Sequence, residues 1–198
     1  MWTLKDGIYR FDAGLPVTIG YAPSSKNQEK IIRNTIFLRQ THSHRIVNID
    51  EETSRVGDGL YTRKKNLQLG IRVADCLPIY FFNLKIGIVG ILHAGWRGTL
   101  DGISGRLNQI LDDYQYVFGP AIGPDCYEIS ADLADEFNQR FDRVTIIRGN
   151  RYFLDLKKAN RQFLKGDEAG DLDICNHCEE TFSSYRRDGK GAGRDIAF

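Results

Sequence analysis

A single α+β domain with mixed β-sheets flanked by helices is the fold that residues 1–198 predict, and three observations predict it. Short β-branched and aromatic runs interleave with amphipathic helical stretches, without the regular spacing of a βα barrel. Neither an internal repeat nor a Pro/Gly/Ser-rich linker divides the chain. The composition, 41% apolar and 27% charged, is that of a domain with a real core. Lysine plus arginine is 27 and aspartate plus glutamate is 26, so no bulk charge points to nucleic acid or to a membrane surface. The opening MWTLKDGIYRFD has no apolar run of the signal-peptide kind, and four scattered cysteines do not form a disulfide framework. A reduced, cytoplasmic protein, monomer or homodimer, is expected.

The elements follow in order. Residues 1–22 read as a hairpin, IYRF and VTIGY joined by a turn over 12–16 with Gly14; residues 23–30 are polar, a loop or a helix start. TIFLR at 35–39 reads as a strand running into Gln40-Thr41-His42-Ser43-His44, and 46–49 as another brief strand. A charged loop over 51–59 leads to Leu60-Tyr61-Thr62, and the basic residues 63–65 form a solvated turn. Residues 71–82 read as a strand interrupted at Asp75-Cys76 and at Pro78, where the missing donor makes the sheet end or bulge. KIGIVGIL at 85–92 is the central strand, too short to span a membrane. Thr99 is placed to cap a helix whose apolar side is Ile103, Leu107, Ile110 and Leu111. After a strand at 116–118 comes Gly119-Pro120-Ala121-Ile122-Gly123-Pro124, and Ser130 caps a helix with Leu133, Phe137 and Phe141 on one side. Strands at 144–147 and 152–154 flank a Gly149-Asn150 turn, and Asp155 caps a helix burying Leu156, Ala159, Phe163 and Leu164. Residues 171–174 form a last strand before Cys175-Asn176-His177-Cys178, and a basic, glycine-rich tail follows from Thr181.

Chemistry concentrates around the central strand, which Ala74-Asp75-Cys76-Leu77-Pro78 and His93-Ala94-Gly95-Trp96-Arg97-Gly98 bracket. His42 and His93 sit where strands give way to loops, and Cys76 sits at a strand interruption. A thiolate and two imidazoles suit zinc with a fourth position left for water or substrate. The same three residues also read as a buried cysteine and two hydrogen-bonded histidines. Arg97, entering a helix, either grips an anion with its guanidinium fork or pairs with a core carboxylate. Asp75 either orients a ligand and moves a proton, or forms a turn. A metal-free cysteine hydrolase or amidase, with Cys76 as nucleophile and His93 or His42 as base, uses the same set. Cys175 and Cys178, with His177 between them, make half of a structural zinc site, while Cys126 has no partner in sequence and reads as core. Tyr80, Phe81, Phe82 and Trp96 either stack a purine or fill the core.

Five ordered motifs carry a resemblance: Gln40-Thr41-His42-Ser43, Ala74 to Pro78, His93 to Gly98, Gly119-Pro120-Ala121-Ile122-Gly123 with Tyr127-Glu128, and Ser184-Tyr185-Arg186-Arg187-Asp188-Gly189 with Gly193-Arg194. Together they resemble the YfiH-like family, labelled polyphenol oxidase (laccase) and also described as a zinc-dependent purine nucleoside phosphorylase. Asp58 and Thr62 match a further short segment without a role, and the first forty residues are shorter than the family's N-terminal pattern. The resemblance implies a YfiH-like fold and a zinc cofactor on His42, Cys76 and His93. Its implied substrates are phosphate and a purine nucleoside (adenosine, inosine, guanosine or methylthioadenosine). It implies catalytic roles for Asp75, Cys76 and Arg97, with Arg97 the phosphate clamp. Arg186, Arg187 and Arg194 either contact phosphate or ribose, as the motif implies, or lie on a solvated tail, and adenosine deaminase activity accompanies phosphorolysis. A module that holds nucleoside or metal without turnover is the non-enzymatic alternative. The laccase label fits poorly: a blue-copper centre plus a copper cluster needs more imidazoles than four histidines supply, and Met1 is a poor axial ligand. Nor does the chain carry the H-x-E and P-C-x-x-C pattern of cytidine-type zinc deaminases.

Overall fold

The structure, a computed structural model, describes residues 1–12, 14, 16–24, 26 and 28–198. From the N-terminus the chain runs β1 (Trp2–Lys5), β2 (Ile8–Phe11), β3 (Ile19–Ala22), α1 (Glu29–Asn34), β4 (Thr35–Phe37), β5 (Ile46–Asn48), β6 (Gly59–Thr62), β7 (Gln68–Val73) and β8 (Leu77–Asn83). It continues through β9 (Ile88–Ala94), α2 (Trp96–Leu100), α3 (Ile103–Ile110), β10 (Gln115–Phe118), β11 (Glu128–Ile129), α4 (Ala131–Arg140), β12 (Thr145–Arg148) and β13 (Arg151–Leu154). It ends with α5 (Leu156–Arg161), β14 (Asp167–Asp171), α6 (Tyr185–Asp188) and β15 (Asp195–Ala197).

One sheet runs β1-β2-β3-β15-β7-β4, a second β14-β10-β8-β9-β6-β5, and a small one β11-β13-β12. Parallel pairs β4/β7, β5/β6 and β10/β14 make both large sheets mixed. This is the α+β architecture expected. The period of two along the strands of the second sheet decides the layering. Tyr80, Phe82, Ile91 and Val117 point into a core shared with Phe11, Tyr21, Ile71 and Val73 of the first sheet. Their neighbours Ile79, Phe81, Leu92 and Phe118 point the other way, onto Ile103, Leu107, Phe137 and Ala159 of the helices. The second sheet is therefore the middle layer, apolar on both faces.

Several expectations are corrected. β1 is an additional strand, turned back by Asp6-Gly7 with φ of 54° and 75°, the left-handed pair of a type I′ hairpin. The expected turn over 12–16 and the polar stretch 23–30 include residues 13, 15, 25 and 27, which lie outside the described residues. The central strand begins at Ile88 rather than 85, because residues 84–87 turn the β8–β9 hairpin. Pro78 does not end the sheet. It pairs with His93, and its carbonyl accepts from Gly119 N–H at 3.0 Å, just past the end of β10. Its missing donor faces the same neighbour, where β10 has ended, so only the reciprocal bond to Gly119 is given up. Thr99 caps nothing; it lies buried inside α2, accepting from Asn160 Nδ2 at 3.0 Å, and Gly102 at φ 79° separates α2 from α3. The strand expected at 171–174 lies earlier, as β14. Tyr80, Phe81 and Phe82 are core residues.

The basic tail hides β15, which slots between β3 and β7. A buried polar knot holds it there. Asp195 accepts from Tyr21 Oη at 2.7 Å, from Ser24 N at 2.7 Å and from Ser183 Oγ at 2.8 Å, while Asn176 Nδ2 donates to Tyr21 Oη at 2.9 Å. Tyr21→Phe removes one donor to a fully buried carboxylate and is expected to lower stability by about 1–3 kcal/mol without changing the fold. Thermal unfolding followed by circular dichroism measures it.

Candidate functional site

Three chain reversals meet at one end of the middle sheet. His42 follows β4, Cys76 lies where the chain crosses from β7 in the first sheet to β8 in the second, and His93 stands near the end of β9. Their donor atoms all lie within 4.8 Å of one another, and the two imidazole centroids are 5.0 Å apart at 69°. His44, two residues from His42, instead faces Asp101 at 3.8 Å.

Two non-glycine residues at the site hold left-handed backbone: His42 at φ 59° and Asp75 at φ 81°. Such conformations persist where the surroundings over-determine them. Around His42 the anchor is Asp58, a fully buried carboxylate that sequence reasoning left without a role. It accepts from the N–H groups of Thr41 (3.1 Å), His42 (2.9 Å) and Ser43 (2.7 Å), and from Ser43 Oγ (2.8 Å). His93 Nδ1 bonds the same carboxylate at 2.9 Å. Although burial opposes ionisation, these donors hold the Asp58 carboxyl well below the usual range. Asp75 is anchored by Ile122 N–H on its carbonyl (3.0 Å) and Arg186 N–H on its Oδ2 (2.7 Å). Among the described residues its buried Oδ1 has no hydrogen-bond partner.

Burial pushes the Cys76 thiol up, but the charge of His93 and hydrogen bonds from both imidazoles outweigh it and bring the thiol to about 6. Burial likewise works against charge on His93, yet the Cys76 thiolate and Asp58 raise it to about 9. With Nδ1 tied to Asp58, His93 turns Nε2 toward Cys76. A soft thiolate, two imidazoles, and a carboxylate fixing one ring by its far nitrogen are a donor set that fits a zinc-like ion.

Gly95 makes the room: a Cβ there would stand 2.9 Å from Cys76 Sγ and 3.3 Å from His42 Cδ2. Its φ of −80° suits any residue, so the constraint is purely steric. Gly95→Ala is expected to keep the fold and weaken metal retention by about 10–100-fold, as displacing a ligand's support does; competition with a chelator reads it.

Tyr127 joins the site unforeseen, although its motif was noted. Arg186 stacks on its ring at 5.3 Å. Burial, then the nearby Cys76 charge, push its phenol well above its ordinary value, so it stays a hydrogen-bond donor. Arg97 is exposed and lies over Trp96 at 4.2 Å, and its charge reaches Tyr127 together with that of Arg186. The other two arginines are engaged elsewhere. Arg187 donates to the carbonyls of Asn176, His177, Glu179 and Phe182 and to Asp188. Arg194 donates to the carbonyls of Ala192 and Gly193 in its own loop. Thr62 bonds Asp50 at 2.6 Å, which accounts for its place in the pattern as a loop anchor.

The family described as multi-copper polyphenol oxidoreductase laccase matches residues 24–198. The chain belongs to this family. A relative from Geobacillus stearothermophilus, "Purine nucleoside phosphorylase YlmD", is 36% identical over 160 residues, covering 71% of this chain and 58% of its own length. "Purine nucleoside phosphorylase CA_C1699" of Clostridium acetobutylicum is 32% identical over 84% of this chain and 77% of its own. "Adenosine deaminase RL5", from an unknown prokaryotic organism, is 34% identical over 80% of this chain and 72% of its own. The crystal structure of Bacillus licheniformis hypothetical protein YfiH superposes with a TM-score of 0.86 at 26% identity, covering 99% of this chain and 97% of that one. Family members thus carry enzyme names of two kinds, phosphorylase and deaminase. Among the described residues no helix is long and apolar enough to cross a membrane.

Proposed function

We propose that the chain is a zinc-dependent purine nucleoside phosphorylase, with adenosine deamination as a second activity of the same pocket. The observation that carries this reading is the convergence of His42, Cys76 and His93 next to Asp75, whose buried Oδ1 no donor among the described residues satisfies. The names of the relatives support the substrate class. When bound by His42, Cys76 and His93, zinc supplies Lewis acidity and no redox chemistry.

The remaining roles belong to the chain. The charges of Arg97 and Arg186 both reach Tyr127, and two guanidinia, each a planar fork of donors, suit a phosphate dianion. Phosphate oxygen forms a bond to C1′ of the ribose as the C1′–N9 bond breaks. The proton of hydrogen phosphate ends on the departing purine, and Asp75 Oδ1 is the group placed to pass it on. Tyr127 holds its phenolic proton and donates to substrate oxygen. Arg187 acts through position only, tying the carbonyls of residues 176–182 to the helix that presents Arg186.

Adenosine supplied with and without inorganic phosphate tests the reading, with adenine and inosine followed separately. Adenine forms only with phosphate; inosine forms without it. Arg97→Lys keeps charge but loses the fork, and is expected to raise the phosphate requirement by the equivalent of about 1–3 kcal/mol while inosine formation falls less. Equal loss of both products would make Arg97 a scaffold residue. Failure of adenosine to yield either product in the wild-type chain would overturn the reading. The thiolate–imidazolium pair of Cys76 and His93 also suits a cysteine nucleophile. Turnover undiminished in metal-free protein would favour that alternative.

A further inference from the structure

The structure gathers a second set of soft donors, away from the His42–Cys76–His93 cluster. Cys126, read from sequence as core, lies with its Sγ 3.3 Å from Cys178 Sγ. Donor atoms of Cys126, His177 and Cys178 all fall within 4.8 Å of one another. Cys175 stands beside the group, two residues before His177, its sulfur accepting from Gly123 N–H at 3.1 Å. Fifty-odd residues of chain separate Cys126 from the other three, and the fold closes that gap deliberately. Ala121 bridges Cys175, and Asn176 N–H donates to the Ala121 carbonyl at 3.2 Å.

The turn over residues 175–178 has the form of a metal knuckle. Cys178 N–H and Glu179 N–H both bond the Cys175 carbonyl, at 3.1 and 3.0 Å. The Cys175 sulfur in turn receives the backbone N–H of Gly123 at 3.1 Å. A covalent cross-link is a different geometry, since a disulfide needs sulfurs about 2.05 Å apart.

We propose that Cys126, Cys175, His177 and Cys178 bind a zinc ion as a closed, structural site distinct from the one beside Asp75. Three thiolates and one imidazole fill a tetrahedral zinc shell and leave no position for substrate. The thiols release their protons as the ion binds. The ion staples the loop leading to Tyr127 onto the segment whose carbonyls Arg187 gathers, and that segment leads into α6 and Arg186. It therefore holds both Tyr127 and the Arg186 N–H that Asp75 depends on.

The test is zinc counted by mass spectrometry in the purified chain, with Cys178→Ser as the variant because Cys178 is the exposed member. Cys178→Ser is expected to lower zinc by one per chain, whatever the Cys76 cluster holds, and Cys76→Ser in the same background removes the remainder. In the wild-type chain, alkylation of Cys126, Cys175 and Cys178 is expected only after a chelator is added, a readout that needs no variant. Replacing zinc by cobalt gives sulfur-to-metal charge-transfer absorption that drops in Cys178→Ser. An unchanged zinc count in the variant would overturn the proposal, as would prompt alkylation of all three thiols without chelator. A Cys126–Cys178 disulfide in the intact mass of the freshly purified chain would overturn it too.

Discussion

Cys76→Ser is expected to cost the chain the metal held by His42, Cys76 and His93 and to lower adenine release from adenosine by more than about 100-fold. Loss of an outer support to a metal ligand already costs about 10–100-fold, and a ligand itself weighs more. Serine keeps the size but replaces a thiol held near 6 with a hydroxyl that stays protonated at neutral pH and is a poor zinc donor. The fold should survive, because Cys76 is half-buried between two anchored neighbours: the Asp75 carbonyl accepts from Ile122 at 3.0 Å, and Leu77 pairs with Ala94. Zinc content and adenine release should fall together. A variant that loses turnover from a wild-type chain that never held metal would instead point to a cysteine nucleophile.

Asp75→Asn is the second large effect. Asparagine tolerates the left-handed backbone that φ 81° demands, and its amide oxygen still accepts from Arg186 N–H, so position is kept. What changes is the free oxygen: a carboxylate that can take and give a proton becomes an amide that cannot. General acid–base catalysis is worth about 10²–10⁴-fold, and the loss is expected in kcat rather than in KM for phosphate. Asp75→Ala adds a backbone penalty and is expected to lower Tm as well. An Asn variant with wild-type kcat would reduce Asp75 to a turn residue.

Legibility in the sequence followed the range of the contacts involved. Ser130 and Asp155 were readable as caps because a cap and its N–H lie three residues apart, and both cap in the structure, with Ser130 Oγ accepting at 3.3 Å and Asp155 at 2.9 Å. The middle sheet was readable because runs such as 79–82 are apolar on both faces. β15 was not, since its three residues sit in a basic stretch and are buried only by partners from the other end of the chain. Asp58 illustrates the same limit at the site. It bonds a ring 35 residues away and a backbone N–H 16 residues away, a joint role that no local pattern records. Cys126 was misread for the same reason. Pro78 failed differently: the rule about its missing donor was right, but the one bond it gives up falls just past the end of β10, a place that only the long-range pairing fixes.

Zinc return to the stripped wild-type chain bears most directly on metal dependence, with Cys76→Ser taken through the same steps. The chain is stripped with a chelator, zinc is added back in steps, and adenine release from adenosine and phosphate is measured at each occupancy. No release is expected from the stripped chain and a rise as zinc returns, with no such rise when Cys76 is serine. Full adenine release from the stripped chain, before any zinc is returned, would contradict metal dependence.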